Sequence, residues 1–148
     1  ELLGALNDQN AIDRSRGFRD AIKDAENLEI IKAPTEWNAD KALAVTENAL
    51  QANPDIWAIY IPSDFMISSV ETALNGVGRL KKVGEDGHVI TMAIDGSNPG
   101  YQATLEGTND ALVALPLAQV GRAALESAIK LANGESIENR HPIYLRKC

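Results

Sequence analysis

Five short apolar runs recur along the chain at intervals of roughly 25–30 residues, which is about the spacing of strands in βαβ units. Segments with apolar residues at i, i+3, i+4 and i+7 separate the runs, and this spacing predicts amphipathic helices. Strands that alternate with helices predict an α/β fold, an open parallel sheet with helices on both faces. The predicted strands are Leu2–Leu6, Leu28–Ala33, Ile56–Ile61, Val89–Ile94 and Ala111–Leu115, and the predicted helices are Ala11–Ala25, Ala39–Ala52, Phe65–Val77 and Ala118–Ala132.

Capping and turn residues mark the ends of these elements. Asn38 is placed to cap the helix that follows it. The charged segment Lys81–Gly87 is predicted to be a loop, and so is Gly96–Gly100, which a short helix over Tyr101–Glu106 follows. The segment Asn139–Leu145 contains a proline and is predicted to be extended, at a sheet edge or in a coil.

Length and composition indicate one globular domain with its own core. The chain has 148 residues, and hydrophobic residues make up 45% of them. The formal net charge is −7 and the 14 lysines and arginines are scattered, which argues against binding to nucleic acid or to an anionic membrane. The sequence has no apolar run of the roughly 20 residues that insertion across a membrane needs. The single Cys148 allows no internal disulfide. Because Glu1-Leu2-Leu3-Gly4 resembles the middle of a strand, we expect a fragment of a longer protein.

Polar or aromatic side chains follow four of the five apolar runs. They are Asn7, Asp8 and Arg14 after the first run, Trp37 after the second, Ser63 and Asp64 after the third, and Asp95 after the fourth. The carboxyl ends of parallel strands meet at one edge of a sheet, where ligands of open α/β folds bind. We therefore expect these side chains to converge on a cleft for a polar ligand.

Arg14 and Asp95 each admit two interpretations. The guanidinium of Arg14 can bind adjacent hydroxyls or a carboxylate, or it can form a surface pair with Asp8 or Asp13. Asp95 ends a strand whose pattern predicts burial on both faces. Its carboxylate can accept hydrogen bonds from ligand hydroxyls, or it can hold the following turn.

Three further positions have both a ligand-binding and a structural interpretation. The ring of Trp37 can stack on the apolar C–H face of a sugar or can cover the core. Ser63 can reach the cleft, although the Ser63-Asp64 pair also has the composition of a helix cap. We expect Asn10 and Asp64 to support the residues that contact the ligand.

The sequence offers no catalytic motif. It contains no G-x-S-x-G, phosphate-binding loop or dinucleotide fingerprint, and no base–nucleophile pair stands out. His88 and His141 have no Cys, Asp or Glu at a metal-ligand spacing. We therefore expect a protein that is not an enzyme and that uses neither a metal nor a cofactor.

Five motifs in sequence resemble those of type I periplasmic sugar-binding proteins, the ribose-binding group in particular. They are Asp13-Arg14-Ser15-Arg16-Gly17-Phe18, Ala52–Tyr60, Ser63-Asp64-Phe65-Met66, Ile94-Asp95-Gly96, and Leu115-Pro116 followed by Gln119-Val120-Gly121. The resemblance implies a flavodoxin-like three-layer lobe. It also implies that Arg14 binds sugar hydroxyls, that Trp37 stacks on the ring and that Asp95 accepts from hydroxyls.

The sequence departs from the family pattern at two site positions. The family usually has Asn-Asp where this chain has Ser63-Asp64, and it usually has a polar residue, often Gln, where this chain has Ala114. Both changes remove hydrogen-bonding capacity. The resemblance therefore implies a sugar other than ribose, a polyol, or a ligand with fewer hydroxyls on that side.

The chain also matches only the second half of a family member. It is expected to form one lobe, equivalent to the C-terminal half, with residues 118–134 packing in the other lobe of the intact protein. An isolated lobe would expose the surface that meets its partner, so we expect either a missing N-terminal lobe or self-association.

These resemblances imply an exported receptor, periplasmic or extracellular. It would bind a small sugar or polyol between two lobes and deliver it to the permease of an ABC importer by hinge closure. An alternative from another class is the effector-binding domain of a lactose-repressor-type transcription regulator, which has the same fold.

Overall fold

The computed structural model describes residues 1–137 and contains alternating strands and helices. The predictions for Asn139–Leu145, His141 and Cys148 concern positions outside the described residues. The strands are β1 (Leu2–Leu3), β2 (Ala33–Pro34), β3 (Ala58–Ile61), β4 (Ile90–Asp95) and β5 (Ala111–Ala114). The helices are α1 (Gln9–Ile22), α2 (Ala39–Ala52), α3 (Ile67–Gly76), α4 (Asn98–Glu106) and α5 (Leu117–Ala132), with a 3₁₀ turn over Asp64–Met66.

All the strand pairs of the described chain are parallel, as predicted. β1 pairs with β2, with Leu2 opposite Ala33. β4 lies between β3 and β5, with Tyr60 opposite Met92 and Asp95 opposite Ala114. The hydrogen bonds divide the strands into two groups, β1-β2 and β3-β4-β5, and β1 lies against β3. β1 is shorter than its predicted run, and β2 overlaps the predicted run Leu28–Ala33 only at Ala33. Ladder hydrogen bonds form only where the two backbones run side by side.

Alternating side chains on β3 show that helices cover both faces of the sheet. Ile59 and Ile61 point into the core cluster, which contains Leu50 of α2 and Val70 of α3. Tyr60 points to the other face, where Phe18 of α1 stacks on it with ring centroids 4.5 Å apart. The fold is therefore the predicted α/β class, with the core between the sheet and the α2–α3 layer.

The prediction that β4 is buried on both faces is wrong. Thr91 and Ala93 are buried on the core face, but Ile90 is exposed, and Met92 and Ile94 are only partly buried. Met92 lies opposite Tyr60 and so shares its face of the sheet. The Phe18 ring stacks on Tyr60 itself, and the β4 side chains on that face stay partly exposed.

Two predicted boundaries also differ from the structure. The helix predicted over Phe65–Val77 begins as the Asp64–Met66 3₁₀ turn. The predicted loop Gly96–Gly100 is only partly a loop, because α4 already begins at Asn98. The proline in the first turn of α4 is tolerated there, since the N–H groups of a first turn have no partner within the helix. The cap of α2 is confirmed: the Asn38 side chain accepts from the Lys41 N–H at 2.9 Å.

The chain divides into two compact units, Glu1–Ala114 and a second unit that begins at Leu115. The first contains every strand. The second contains α5, none of whose residues is buried, and whose exposed apolar side chains are Leu117, Val120, Leu125, Ile129 and Leu131. Among the described residues, no helix is both long and apolar enough to cross a membrane.

A histidine–aspartate pair ties the loop before β4 to the start of β5. The His88 ring lies between the Lys81 carbonyl oxygen, 2.8 Å from Nδ1, and the Asp110 carboxylate, 2.9 Å from Nε2. Asp110 also accepts from the Thr91 N–H at 2.8 Å. Burial alone would lower the pKa of His88, but these hydrogen bonds and the nearby Glu85 raise it above its usual 6.5. Both acceptors favour the doubly protonated ring.

We predict that this pair stabilises the fold at low pH. A pKa that is higher in the folded state gives stability that is fully present below the unfolded pKa and is lost as pH rises through the folded pKa. Urea unfolding of the wild type between pH 5.5 and 9 should therefore show a loss of stability with rising pH. His88→Gln should flatten that slope. An equal slope in the two proteins would contradict the assignment.

Candidate functional site

An open cleft of about 290 Å³ lies where β1, β3 and β4 end. It is lined by Asp8, Asn10, Arg14, Trp37, Ser63, Phe65 and Asp95. The structure thus brings together all four residues predicted to contact a ligand. Asn10, expected in a supporting position, lines the cleft itself. Asp64 does not line it.

The centre of the cleft is a two-pronged ion pair between Arg14 of α1 and Asp95 at the end of β4. The Nη2–Oδ1 distance is 2.7 Å and the Nη1–Oδ2 distance is 3.1 Å. The same Nη1 also donates to the Pro62 carbonyl oxygen. Each side chain is about one-fifth exposed. The two charges neutralise each other and remain within reach of solvent.

Two hydroxyl groups position this ion pair. Ser63 donates its hydroxyl hydrogen to Asp95 Oδ2. Below the cleft, the Tyr60 hydroxyl donates to the Arg14 carbonyl oxygen at 3.3 Å. Burial raises the pKa of Tyr60 to about 12, and the carboxylates of Glu1 and Asp95 add to this while Arg14 opposes it. Tyr60 is therefore a neutral hydrogen-bond donor at physiological pH.

Trp37 forms one wall of the cleft and contacts three other residues. Its indole N–H donates to Asp8 Oδ2 at 2.7 Å, and the Arg14 guanidinium carbon lies 5.7 Å from the ring centroid, a cation–π distance. Gly4 lies directly against the ring, so that a Cβ on Gly4 would overlap it. These contacts hold the half-buried ring in one orientation.

Two of the four predicted contact residues adopt backbone conformations that are unusual for their residue types. Trp37 has a φ of 54° and Asp95 a φ of 114°. Such conformations cost free energy and cluster at functional sites. After Asp95 the chain turns at Gly96, where a Cβ would collide with Ala114 of β5. The Asp95 carboxylate is therefore aimed by a turn that only glycine can complete.

Asp64 acts behind the cleft, between two of its loops. It is 1% exposed, and its carboxylate accepts from the Ser97 N–H at the start of α4 at 2.6 Å. Gly100 of α4 packs directly against the same carboxylate. The expected capping role thus falls on α4 rather than on the helix that follows Asp64.

Sequence reasoning missed Phe65 and Gly4 as contributors to the site, and it missed the contact that Asp8 makes. Asp8 was expected at the cleft because it follows the first apolar run, but its role in holding Trp37 depends on tertiary contacts. Asn7 was also expected there and does not line the cleft. Phe65 was predicted only as the first residue of a helix, and its place in a 3₁₀ turn exposes it to the cleft. Gly4 had no signal in the sequence.

The polar side chains of this cleft can take part in binding a polar ligand. Arg14 and Asp95 form an ion pair, Asp8 accepts from Trp37, and all of these residues line the open cleft. Groups of this kind can donate to and accept from hydroxyls. Within residues 1–137 there is no group of three or more His, Cys, Asp or Glu side chains suited to hold a metal ion.

The family model for the periplasmic binding protein domain matches residues 1–136. The chain belongs to this family, and the curated relatives that it matches are named as binding proteins, among them import binding proteins for ribose and D-apiose, rather than as enzymes.

Among its relatives, the ribose import binding protein of Escherichia coli strain K12 is 28% identical over 99% of this chain. The chain spans only 47% of that relative's length. A solute-binding protein of Actinobacillus succinogenes 130z with bound D-allose has a TM-score of 0.81 at 28% identity, over 93% of this chain and 47% of its own. A solute-binding protein of Bacillus halodurans C-125 with bound myo-inositol has a TM-score of 0.83 at 26% identity, and the match covers 93% of this chain and 46% of that protein. These neighbours share the fold of a periplasmic binding protein lobe.

We predict that the missing Cβ of Gly4 is what allows Trp37 to form the cleft wall. In a Trp57→Phe background, which leaves Trp37 as the reporter, Gly4→Ala should displace the indole ring. Overpacking of this kind costs about 1–3 kcal/mol, and the Trp37 emission should shift to longer wavelength.

The matched control is Gly17→Ala in α1, where an added Cβ meets no neighbour. It should leave the spectrum unchanged and stabilise the helix by up to about 1 kcal/mol. A Gly4→Ala protein with the emission and stability of its parent would refute the prediction.

Proposed function

We propose that this chain binds a small uncharged sugar or polyol in the cleft, and that Arg14, Trp37, Ser63 and Asp95 contact it. The Arg14–Asp95 pair is the observation that carries this proposal. It places the hydrogen-bond donors of the Arg14 guanidinium beside the Asp95 carboxylate, which is an acceptor. Neighbouring hydroxyls of a sugar can accept from the first group and donate to the second.

The hydrogen bonds left unused in the cleft match such a ligand. Among residues 1–137, neither the Nε–H nor the second Nη2–H hydrogen of Arg14 has an acceptor. Asp95 Oδ1 accepts only from Arg14, and the Ser63 oxygen is free to accept. An anionic ligand would meet the carboxylates of Asp8 and Asp95 with only one arginine between them. Electrostatics therefore favours a neutral ligand.

The proposed role of the whole protein is delivery of this ligand to an ABC importer. The family is periplasmic, and the relatives that the chain matches carry the names of import binding proteins for ribose and D-apiose. Because the chain spans about half of their length, we propose that it is the C-terminal half of a two-lobed receptor. Hinge closure would then shield the ligand from water and present the closed form to the permease.

A receptor is favoured over both the effector domain of a transcription regulator and an enzyme. The relatives are binding proteins of import systems, which favours a receptor over the effector domain of a transcription regulator. The cleft residues also supply no nucleophile beside a free base: Ser63 donates to a carboxylate that is already paired with Arg14.

We predict that Arg14→Ala and Asp95→Ala in the full-length protein each weaken binding by about 1.5–3 kcal/mol, because each removes charged hydrogen bonds and leaves its partner unpaired. Binding is measured by calorimetry with a panel of uncharged pentoses, hexoses and inositols.

Arg16→Ala is the matched control, because Arg16 lies on the same helix and pairs with Asp13 at 2.8 Å on the surface. It should leave the affinity unchanged. Wild-type affinity in both cleft variants would contradict the site assignment. Thermal unfolding would show whether the variants are folded.

We further propose that α5 packs against the other lobe of the intact protein. Its apolar side chains are exposed in this chain, and Leu125 and Ile129 lie one turn apart. In the full-length protein, Leu125→Glu with Ile129→Glu should lower stability by about 2 kcal/mol or more, because two charges would replace buried apolar groups. Thermal unfolding measures the effect. Glu126→Gln on the same helix is the control, and an unchanged midpoint in the double variant would contradict this packing.

A further inference from the structure

The wall of the cleft that follows β3 offers a ligand almost no side-chain hydrogen bonds. Ser63 uses its only hydrogen on Asp95. The Asp64 carboxylate is buried against α4 and accepts from Ser97. The third residue of this wall, Phe65, presents a hydrocarbon ring. One hydroxyl oxygen is therefore the only side-chain polar group available here.

The Phe65 ring is held at the mouth of the cleft by its neighbours. Asp64 and Met66, on either side of it in the 3₁₀ turn, are 1% and 0% exposed, while Phe65 is 44% exposed. The two buried neighbours fix the turn, so the ring cannot withdraw into the core without unfolding it. An aromatic ring kept in water beside a polar cleft loses free energy that an apolar contact would recover.

Other residues of the cleft lining are polar. Asp8, Asn10 and Arg14 lie at the start of α1 or within it, and all three line the same cleft as Phe65. A ligand in the cleft meets charged and amide groups from α1 and an aromatic ring from the segment after β3. The cleft is thus matched to a molecule whose own polarity is unequal on its two edges.

We propose that the ligand is a deoxy sugar, with its hydroxyl-bearing edge on Arg14 and Asp95 and a methyl or methylene carbon against Phe65. This inference rests on the proposed function and names the ligand class. A hydroxyl at that position would lose its hydrogen bonds to water and find no side-chain donor among the cleft residues of this lobe that follow β3, which costs free energy. A methyl group there gains contact area, and one such group in an apolar site changes affinity by about tenfold or more.

The test compares pairs of sugars that differ by one hydroxyl, on the full-length protein by calorimetry. The pairs are L-fucose with L-galactose, D-fucose with D-galactose, L-rhamnose with L-mannose, and 2-deoxy-D-ribose with D-ribose. In at least one pair the deoxy member should bind about tenfold more tightly than its parent. Phe65→Ala should reduce that preference to near unity, and Phe65→Leu should retain part of it.

Trp57→Ala provides the control, because it removes a ring of similar exposure from the other end of the sheet. It should leave the preference intact. Equal or tighter binding of the parent sugar in every pair, weakened by Arg14→Ala, would overturn the deoxy-sugar inference and leave the proposed function standing. If Phe65→Ala weakened the binding of the deoxy sugar and of its parent sugar by the same factor, that result would also overturn the inference. Absence of binding by any sugar to the folded protein would overturn both.

Discussion

The site depends on the ion pair between Arg14 and Asp95, which joins residues 81 positions apart. Arg14 comes from α1, Asp95 from the end of β4, and the Pro62 carbonyl that shares the guanidinium follows β3. One side chain therefore fixes the relative positions of three segments that line the cleft. A partly exposed pair of this kind contributes little to stability by itself, since solvent screens it. Its main effect is to keep two opposite charges side by side where a ligand can reach both.

Much of the fold could be predicted because it follows from local pattern. The apolar periodicity placed α2 with its bounds at Ala39 and Ala52, and the apolar runs gave the order of the strands, although the second run overlaps β2 only at Ala33. The convergence of Arg14, Trp37, Ser63 and Asp95 followed from the parallel direction of the strands, a constraint that does not require knowing any side-chain contact. Strand lengths were less predictable, since an apolar run marks burial and the ladder depends on where a partner lies.

The remaining features depend on contacts between distant parts of the chain. Gly4 has a role only because the Trp37 ring lies across it. The positive φ of Trp37 could not be predicted either, because tryptophan does not favour that backbone conformation. Asp64 had the composition of a local cap, yet it caps a helix that begins more than thirty residues later. Phe65 was predicted as the first residue of a helix, and the structure places it in a 3₁₀ turn where it lines the cleft. None of these roles can be derived from local pattern alone, because each depends on tertiary geometry.

The bond from Asp64 to the Ser97 N–H has a thermodynamic consequence for recognition. It fastens the loop after β3 to the turn after β4 while the protein folds, before any ligand arrives. Ordering flexible loops on binding normally consumes part of the interaction free energy. In this cleft that entropy is already lost in the free protein. A small molecule with few contacts can therefore convert more of its interaction with these two loops into affinity.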